Sequence, residues 1–168
     1  MYHVDLNSDL GESFGAYTIG LDKEVIAQIS SANVACGYHA GDPLVMAETA
    51  RLCRGAGVAI GAHPGFPDLQ GFGRRNMNLS PKEVKAMMLY QIGAADAFLH
   101  KNGGKLQHVK PHGALYNMAA KEESLAKAIC EAVLEYDKSL IILAQSSGAL
   151  YKEAVKLGLP VRAEVFMD

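Results

Sequence analysis

Short apolar runs that end in Gly, His, Asn or Asp, each followed by a helical segment, recur along this chain and limit what it can become. The runs are 2–6, 32–36, 58–62, 106–110, 140–144 and 161–166. They are apolar without strict alternation. That pattern suits strands covered on both faces, as in a parallel sheet with helices packed outside it. Such a sheet either stays open and doubly wound or closes into a barrel, and in both cases ligands meet it at the carboxyl ends of its strands.

Helix signals fill the gaps. Asp42 followed by Pro43 reads as an N-cap with proline at the first helical position, opening a helix to about Gly55. Ser80, Pro81 and Glu83 give an N-cap, an N1 proline and a capping-box glutamate for a helix that Gly103 and Gly104 stop. Val25, Ile26 and Ile29 mark a shorter helix over 22–30. Leu125, Ala128, Ile129, Ala132 and Val133 mark one over 121–136, and a last one runs to about Leu157. No repeat or linker interrupts the alternation, so one domain over 1–168 is expected.

The unusual polar residues fall just after the apolar runs. Asn7, Asp9 and Glu12 follow the first; His39 and Asp42 follow the second; His63 and Asp68 follow the third. Lys110 and His112 follow the fourth, Gln145 and Ser146 the fifth, and Glu164 and Asp168 lie on or after the sixth. In a parallel α/β fold these positions converge on one rim, and a rim rich in titratable groups is the default site. His39, His63 and His112 sit in turns flanked by glycine or proline, where a ligand, acid/base or substrate-binding role is expected. His3, His100 and His108 sit within a strand start, a helix end and a strand, and read as structural or solvent-facing.

Asp9 and Glu12 suit general acid/base work or a divalent metal, although the spacing matches no standard zinc signature. Asn7 could orient a substrate amide or a water. Lys110 could anchor a carboxylate or stabilise an oxyanion. Arg74 and Arg75 lie in a glycine-rich loop that favours anion contacts, or form a solvated surface pair. For Asp42 the helix cap is a sufficient explanation, with a direct site role as the alternative. Cys53 and Cys130 fall in helical patterns and read as core. Cys36 ends an apolar run three residues from a histidine, so both a core role and a nucleophile role are open to it.

Other classes of function are set aside by composition. A formal charge of -2 marks no surface for nucleic acid or anionic membrane. No apolar run is long enough to span a bilayer, the first residues lack a signal-peptide layout, and a cytoplasmic protein is expected. Three cysteines form no disulfide framework, and neither a GxxxxGK[ST] nor a GxGxxG element is present.

Five blocks together resemble the LamB/YcsF family, the A component of bacterial ATP-dependent 5-oxoprolinase. They are DLNSDLGESFG (5–15), ANVACGYHAGDP (32–43), GVAIGAHPGFPDLQGFGRR (57–75), VKPHGALYN (109–117) and EVFMD (164–168). The resemblance implies a seven-stranded parallel (β/α) barrel of the glycoside hydrolase/deacetylase-like kind. It also implies cleavage of 5-oxo-L-proline to L-glutamate, coupled to ATP (with Mg) and shared with subunits B and C; self-association into a homo-oligomer is left open. Family members continue past the EVFMD block, so a C-terminally truncated barrel lacking its last strand is expected.

On that reading Asp9, Glu12, His39, His63, Lys110 and His112 are the catalytic candidates. Asn7, Asp42, Arg74, Arg75 and Glu164 are the substrate-binding candidates. Two rivals stand beside it. One is a metal-dependent deacetylase or amidohydrolase in which Asp9, His63 and His112 hold a divalent ion; the other is a non-catalytic substrate-binding subunit.

Overall fold

The structure is a computed structural model that describes residues 4–166. Six strands, β1 (Asn7–Leu10), β2 (Ser31–Ala35), β3 (Ala59–His63), β4 (His108–Val109), β5 (Ile141–Gln145) and β6 (Val161–Glu164), form one sheet in strictly sequential order. Every neighbouring pair is parallel. Six helices connect them: α1 (Asp22–Ile26), α2 (Pro43–Ala56), α3 (Pro81–Lys101), α4 (Gly113–Ala119), α5 (Glu123–Asp137) and α6 (Ala149–Lys156). The sheet curves into a half-barrel. The Lys110 ammonium, just past β4, lies 3.4 Å from Asp9 on one edge strand and 2.6 Å from Glu164 on the other.

The helix starts follow the capping chemistry written in the sequence. The Asp42 side chain accepts the Leu44 and Val45 amides at 2.8 and 2.9 Å. Ser80 and Glu83 form a reciprocal capping box at the start of α3. Between sheet and helices lies an apolar core in which Val34, Ile60, Val109 and Ile142 from the strands pack with Met88, Ile92 and Ile129 from the helices. Cys53 and Cys130 are buried in it.

Three expectations about elements change. The first strand is Asn7–Leu10 rather than 2–6, so Asn7 and Asp9 stand on the strand itself and not in the loop after it. Residues 2 and 3 of that run, with His3, lie outside the described residues, as does Asp168. The segment after the fourth run, expected to be a turn around His112, enters α4 directly after that residue. Finally, α1 ends at Ile26 and β6 at Glu164, each short of its expected limit.

Candidate functional site

The carboxyl ends of the strands bring most of the expected residues together. Asp9 projects from β1, Glu12 follows it, His39 follows β2, His63 ends β3, and Lys110 and His112 follow β4. His39, His63 and His112 are each no more than 2% exposed. The rings of His39 and His112 stack at 3.6 Å and 3°, and His63 meets both edge-on. Phe72 closes the stack from the side. Gly73 is what lets this packing occur, since a Cβ there would lie 2.7 Å from His39 Cβ and 2.9 Å from His112 Cδ2.

Hydrogen bonds fix the imidazole tautomers. His63 Nδ1 donates to the Lys110 carbonyl at 2.7 Å, and His112 Nε2 donates to the Phe72 carbonyl at 2.8 Å. Their other nitrogens, His63 Nε2 and His112 Nδ1, face each other at 3.0 Å, and in the neutral rings both present lone pairs. Two such lone pairs repel unless a proton or a metal ion sits between them. Around that point stand Asp9 Oδ2, 3.3 Å from His63 Nε2, and Glu12 Oε1, 3.7 Å from His112 Nδ1. The same Glu12 oxygen lies 3.2 Å from His39 Nε2, while the buried His39 Nδ1 has no partner among the described residues.

The environments push the titrations apart. Burial opposes ionisation of Asp9, but the attraction and hydrogen bond of His63, the Lys110 ammonium and the Asn33 amide hold it well below the usual carboxylate range. Glu12 is raised, by burial first and by the Asp9 charge, against the pull of His63, His112 and Arg74. Burial and the neighbouring His63 push His39 down to about 2, and burial with both neighbouring imidazoles lowers His112.

Lys110, Glu164 and Tyr116 form the second half of the site. The Lys110 and Glu164 side chains are both over nine-tenths buried and pair at 2.6 Å. The Tyr116 hydroxyl donates to the other Glu164 oxygen at 2.8 Å. Asn7 Oδ1 lies 3.3 Å from Lys110 Nζ and accepts from Asn33 Nδ2 at 2.7 Å. Lys110 is thus already engaged by protein carboxylates.

The remaining candidates stand apart. Asp42 caps α2 and also accepts the Gly15 amide at 2.8 Å, pinning the loop after β1. Arg75 pairs with Asp68 and fixes the loop between them. Arg74 is exposed at the rim, over the Phe72 ring at 5.9 Å. Gln145 faces Asn117 at 3.4 Å, away from the imidazoles. Cys36 is no nucleophile here: it is 2% exposed, its thiol turns to the Val34 carbonyl, and burial pushes its pKa up to about 12.

Sequence reasoning missed Asn33 and Tyr116, and of the two places open to His108, structural or solvent-facing, the structure shows the buried one. Asn33 is fully buried, and its one available signal was an amide inside the otherwise small and apolar segment SANVA. Tyr116 lies in the unrecognised helix α4.

A parallel β/α half-barrel with buried imidazoles and carboxylates at its strand ends defines a protein of the (β/α)-barrel class whose polar site lies on the strand-end face. The chain belongs to the LamB/YcsF family, whose profile matches residues 4–168. It is 63% identical over its whole length to a Clostridium beijerinckii protein named as the A component of 5-oxoprolinase, and 58% identical over 98% of its length to one of the same name from Pyrococcus horikoshii. It spans 66% and 65% of those relatives. The crystal structure of a lactam utilization protein from Thermus thermophilus superposes with a TM-score of 0.97 at 52% identity, covering 98% of this chain and 67% of that one. Among the described residues no helix is long and apolar enough to cross a membrane.

Proposed function

We propose that this chain carries the lactam-handling site of a cytoplasmic, multi-subunit 5-oxoprolinase, which opens 5-oxo-L-proline to L-glutamate with hydrolysis of ATP. Subunits B and C are its partners in that reaction. The names of the relatives support the substrate. The observation that carries the chemistry is two carboxylates set against different buried imidazoles, Asp9 3.3 Å from His63 and Glu12 3.7 and 3.2 Å from His112 and His39, in environments that lower the first and raise the second. Two titratable groups with opposed environments divide into a base side and an acid side.

An unstrained lactam resists hydrolysis at neutral pH. Phosphorylation of its oxygen makes the ring carbon electrophilic and the nitrogen a better leaving group. Asp9 is too weak a base to deprotonate water alone, so it orients the water while the adjoining His63 Nε2, 3.3 Å from Asp9 Oδ2, takes the proton. Glu12 supplies a proton to the departing ring nitrogen, which leaves γ-glutamyl phosphate, and a second water hydrolyses that acyl phosphate to L-glutamate and inorganic phosphate. Arg74, exposed at the rim, receives the substrate carboxylate or phosphate, because Lys110 is held by Glu164. In a complex reconstituted with subunits B and C, Asp9→Asn combined with His112→Ala should lower ATP-dependent glutamate release at least 100-fold. Unchanged turnover refutes the assignment, and 5-oxoproline binding with no effect of either change on turnover favours a non-catalytic binding subunit.

One observation favours a second reading, a metal-dependent amidohydrolase. The donor atoms of Glu12, His39, His63 and His112 all lie within 4.8 Å of one another. The spacings from His63 Nε2 to His112 Nδ1 and from there to Glu12 Oε1, 3.0 and 3.7 Å, bracket the roughly 3.4 Å edge of a tetrahedral site with 2.1 Å bonds. His39, stacked parallel on His112, cannot aim its in-plane lone pair at the same point. The residues fit an ion held by Glu12, His63 and His112 with Asp9 beside them, and such an ion would polarise a carbonyl. Elemental analysis and Zn²⁺ titration calorimetry test it, and full activity of metal-free enzyme removes it.

A further inference from the structure

Beneath the imidazole cluster the barrel interior holds a row of four residues at one register level. Asp9 on β1 pairs with Asn33 on β2, Asn33 with Gly61 on β3, and Gly61 with His108 on β4. In-register residues of parallel strands point to the same face, so all four positions face the interior. Gly61 contributes no side chain, and a Cβ there would lie 2.1 Å from His108 Cδ2. The His108 ring therefore lies against bare backbone and reaches across a whole strand. Its Nε2 meets Asn33 Oδ1 at 2.7 Å.

The hydrogen bonds beyond it run in one direction. Asn33 Oδ1 can only accept, so His108 donates from Nε2. That orientation turns the Asn33 amide nitrogen outward, where its two N–H groups reach Asn7 Oδ1 at 2.7 Å and Asp9 Oδ1 at 2.9 Å. Lys110 also approaches Asp9 Oδ1, at 3.4 Å. With Oδ1 engaged, Oδ2 is left to face His63 Nε2 at 3.3 Å. His108 is 1% exposed and Asn33 fully buried, so water does not compete for these bonds.

We infer that His108 and Asn33, meeting across Gly61, are positioning residues that aim the Asp9 carboxylate at His63. Neither touches the reacting atoms; each acts through the next. Asn33 could satisfy its own hydrogen bonds in the flipped orientation only by presenting its oxygen to Asp9, which would set two acceptors against each other. The His108 N–H prevents that flip. The effect on turnover rests on the lactam-opening reading above, whereas the effect on His63 does not.

The test compares His108→Gln, which keeps an N–H donor, with His108→Leu, which fills space without one. Ring ¹⁵N shifts from NMR of the purified chain read the local effect, and 5-oxoproline turnover with subunits B and C reads the catalytic one. Wild-type His108 should be the Nε2–H tautomer. His108→Leu should move the His63 ring shifts and lower kcat by roughly 10- to 100-fold, the usual range for loss of a supporting hydrogen bond, with KM changed less than about threefold. His108→Gln should keep the His63 shifts and most of the turnover. Asn33→Leu, with His108 in place, should reproduce the His108→Leu effects and serves if that variant does not fold. Leucine and glutamine variants that behave alike in both readouts overturn the inference. If the wild-type complex leaves 5-oxoproline intact, the functional reading fails while the His63 shifts still decide the positioning role.

Discussion

Replacing Lys110 by methionine should destabilise the protein far more than a surface lysine change, and for a reason that can be isolated. The Lys110 and Glu164 side chains are 8% and 6% exposed and pair at 2.6 Å. Lys110 also faces Asp9, so one ammonium serves two carboxylates. Lys110→Met keeps most of the aliphatic stem but leaves Glu164 buried with only the Tyr116 hydroxyl, and removes the cation that balances Asp9. Breaking a buried pair from one side costs about 3–5 kcal/mol. For a chain of this size that corresponds to a fall in Tm on the order of 10 °C. Glu164→Gln alone should cost less, because it strands a cation that still has Asp9. The double variant should recover at least half of the loss, since no buried Glu164 charge remains to be compensated. Urea unfolding at pH 7 of the wild type, both single variants and the double variant gives the coupling energy directly. Additive losses, or a Lys110→Met cost below about 1 kcal/mol, refute the view that the pair is a desolvated unit.

Stability should also fall on mild acidification. Burial lowers His108 to about 4, against about 6.5 unfolded, so the unfolded chain binds its proton first as pH drops. Its contribution is complete above pH 6.5 and is lost progressively towards pH 4, about 2 kcal/mol by pH 5. His39 acts in the same direction, whereas the raised Glu12 works against it above its unfolded value. Urea midpoints at pH 7 and pH 5 check this, and a His108→Gln variant should lose less over that interval than the wild type; equal midpoints for the wild type at the two pH values contradict it. The thiols should be silent: with Cys36, Cys53 and Cys130 all buried and each raised to about 11 or 12, a disulfide thiol reagent should label none of them natively and all three in denaturant.

What could be read from the sequence followed the physics of burial. Runs that sit between helices and sheet, such as Ile60 to Ala62 and Ile141 to Ala144, are apolar on both faces and declared themselves. The caps at Asp42 and Ser80 did so too, because capping is local. The first strand did not. Its inward residues Asn7 and Asp9 are polar because Asn33 on β2, His63 on β3 and Lys110 just past β4 satisfy them, a compensation no local pattern reveals. His108 and Asn33 stayed hidden for the same reason, each being a polar group inside an apolar run with its partner on another strand. The gathering of His39, His63 and His112 at one rim was foreseeable from their places after the runs. Their tautomers, and the occupation of Lys110 by Glu164, depend on side-chain geometry that spacing does not carry.

The strictly sequential strand order has a consequence for assembly. Each β/α unit docks on the one made just before it, so every strand after the first pairs with its immediate predecessor in the chain. The polar interior cannot keep pace. Asp9 meets its counter-charge at Lys110 101 residues later, and Glu164 joins Lys110 only when the sixth strand arrives. A chain emerging from its amino end carries uncompensated carboxylates into a closing cavity until its later strands are made. The last strand therefore brings a carboxylate that only an already placed Lys110 can neutralise, and the Lys110–Glu164 pair closes last in chain order.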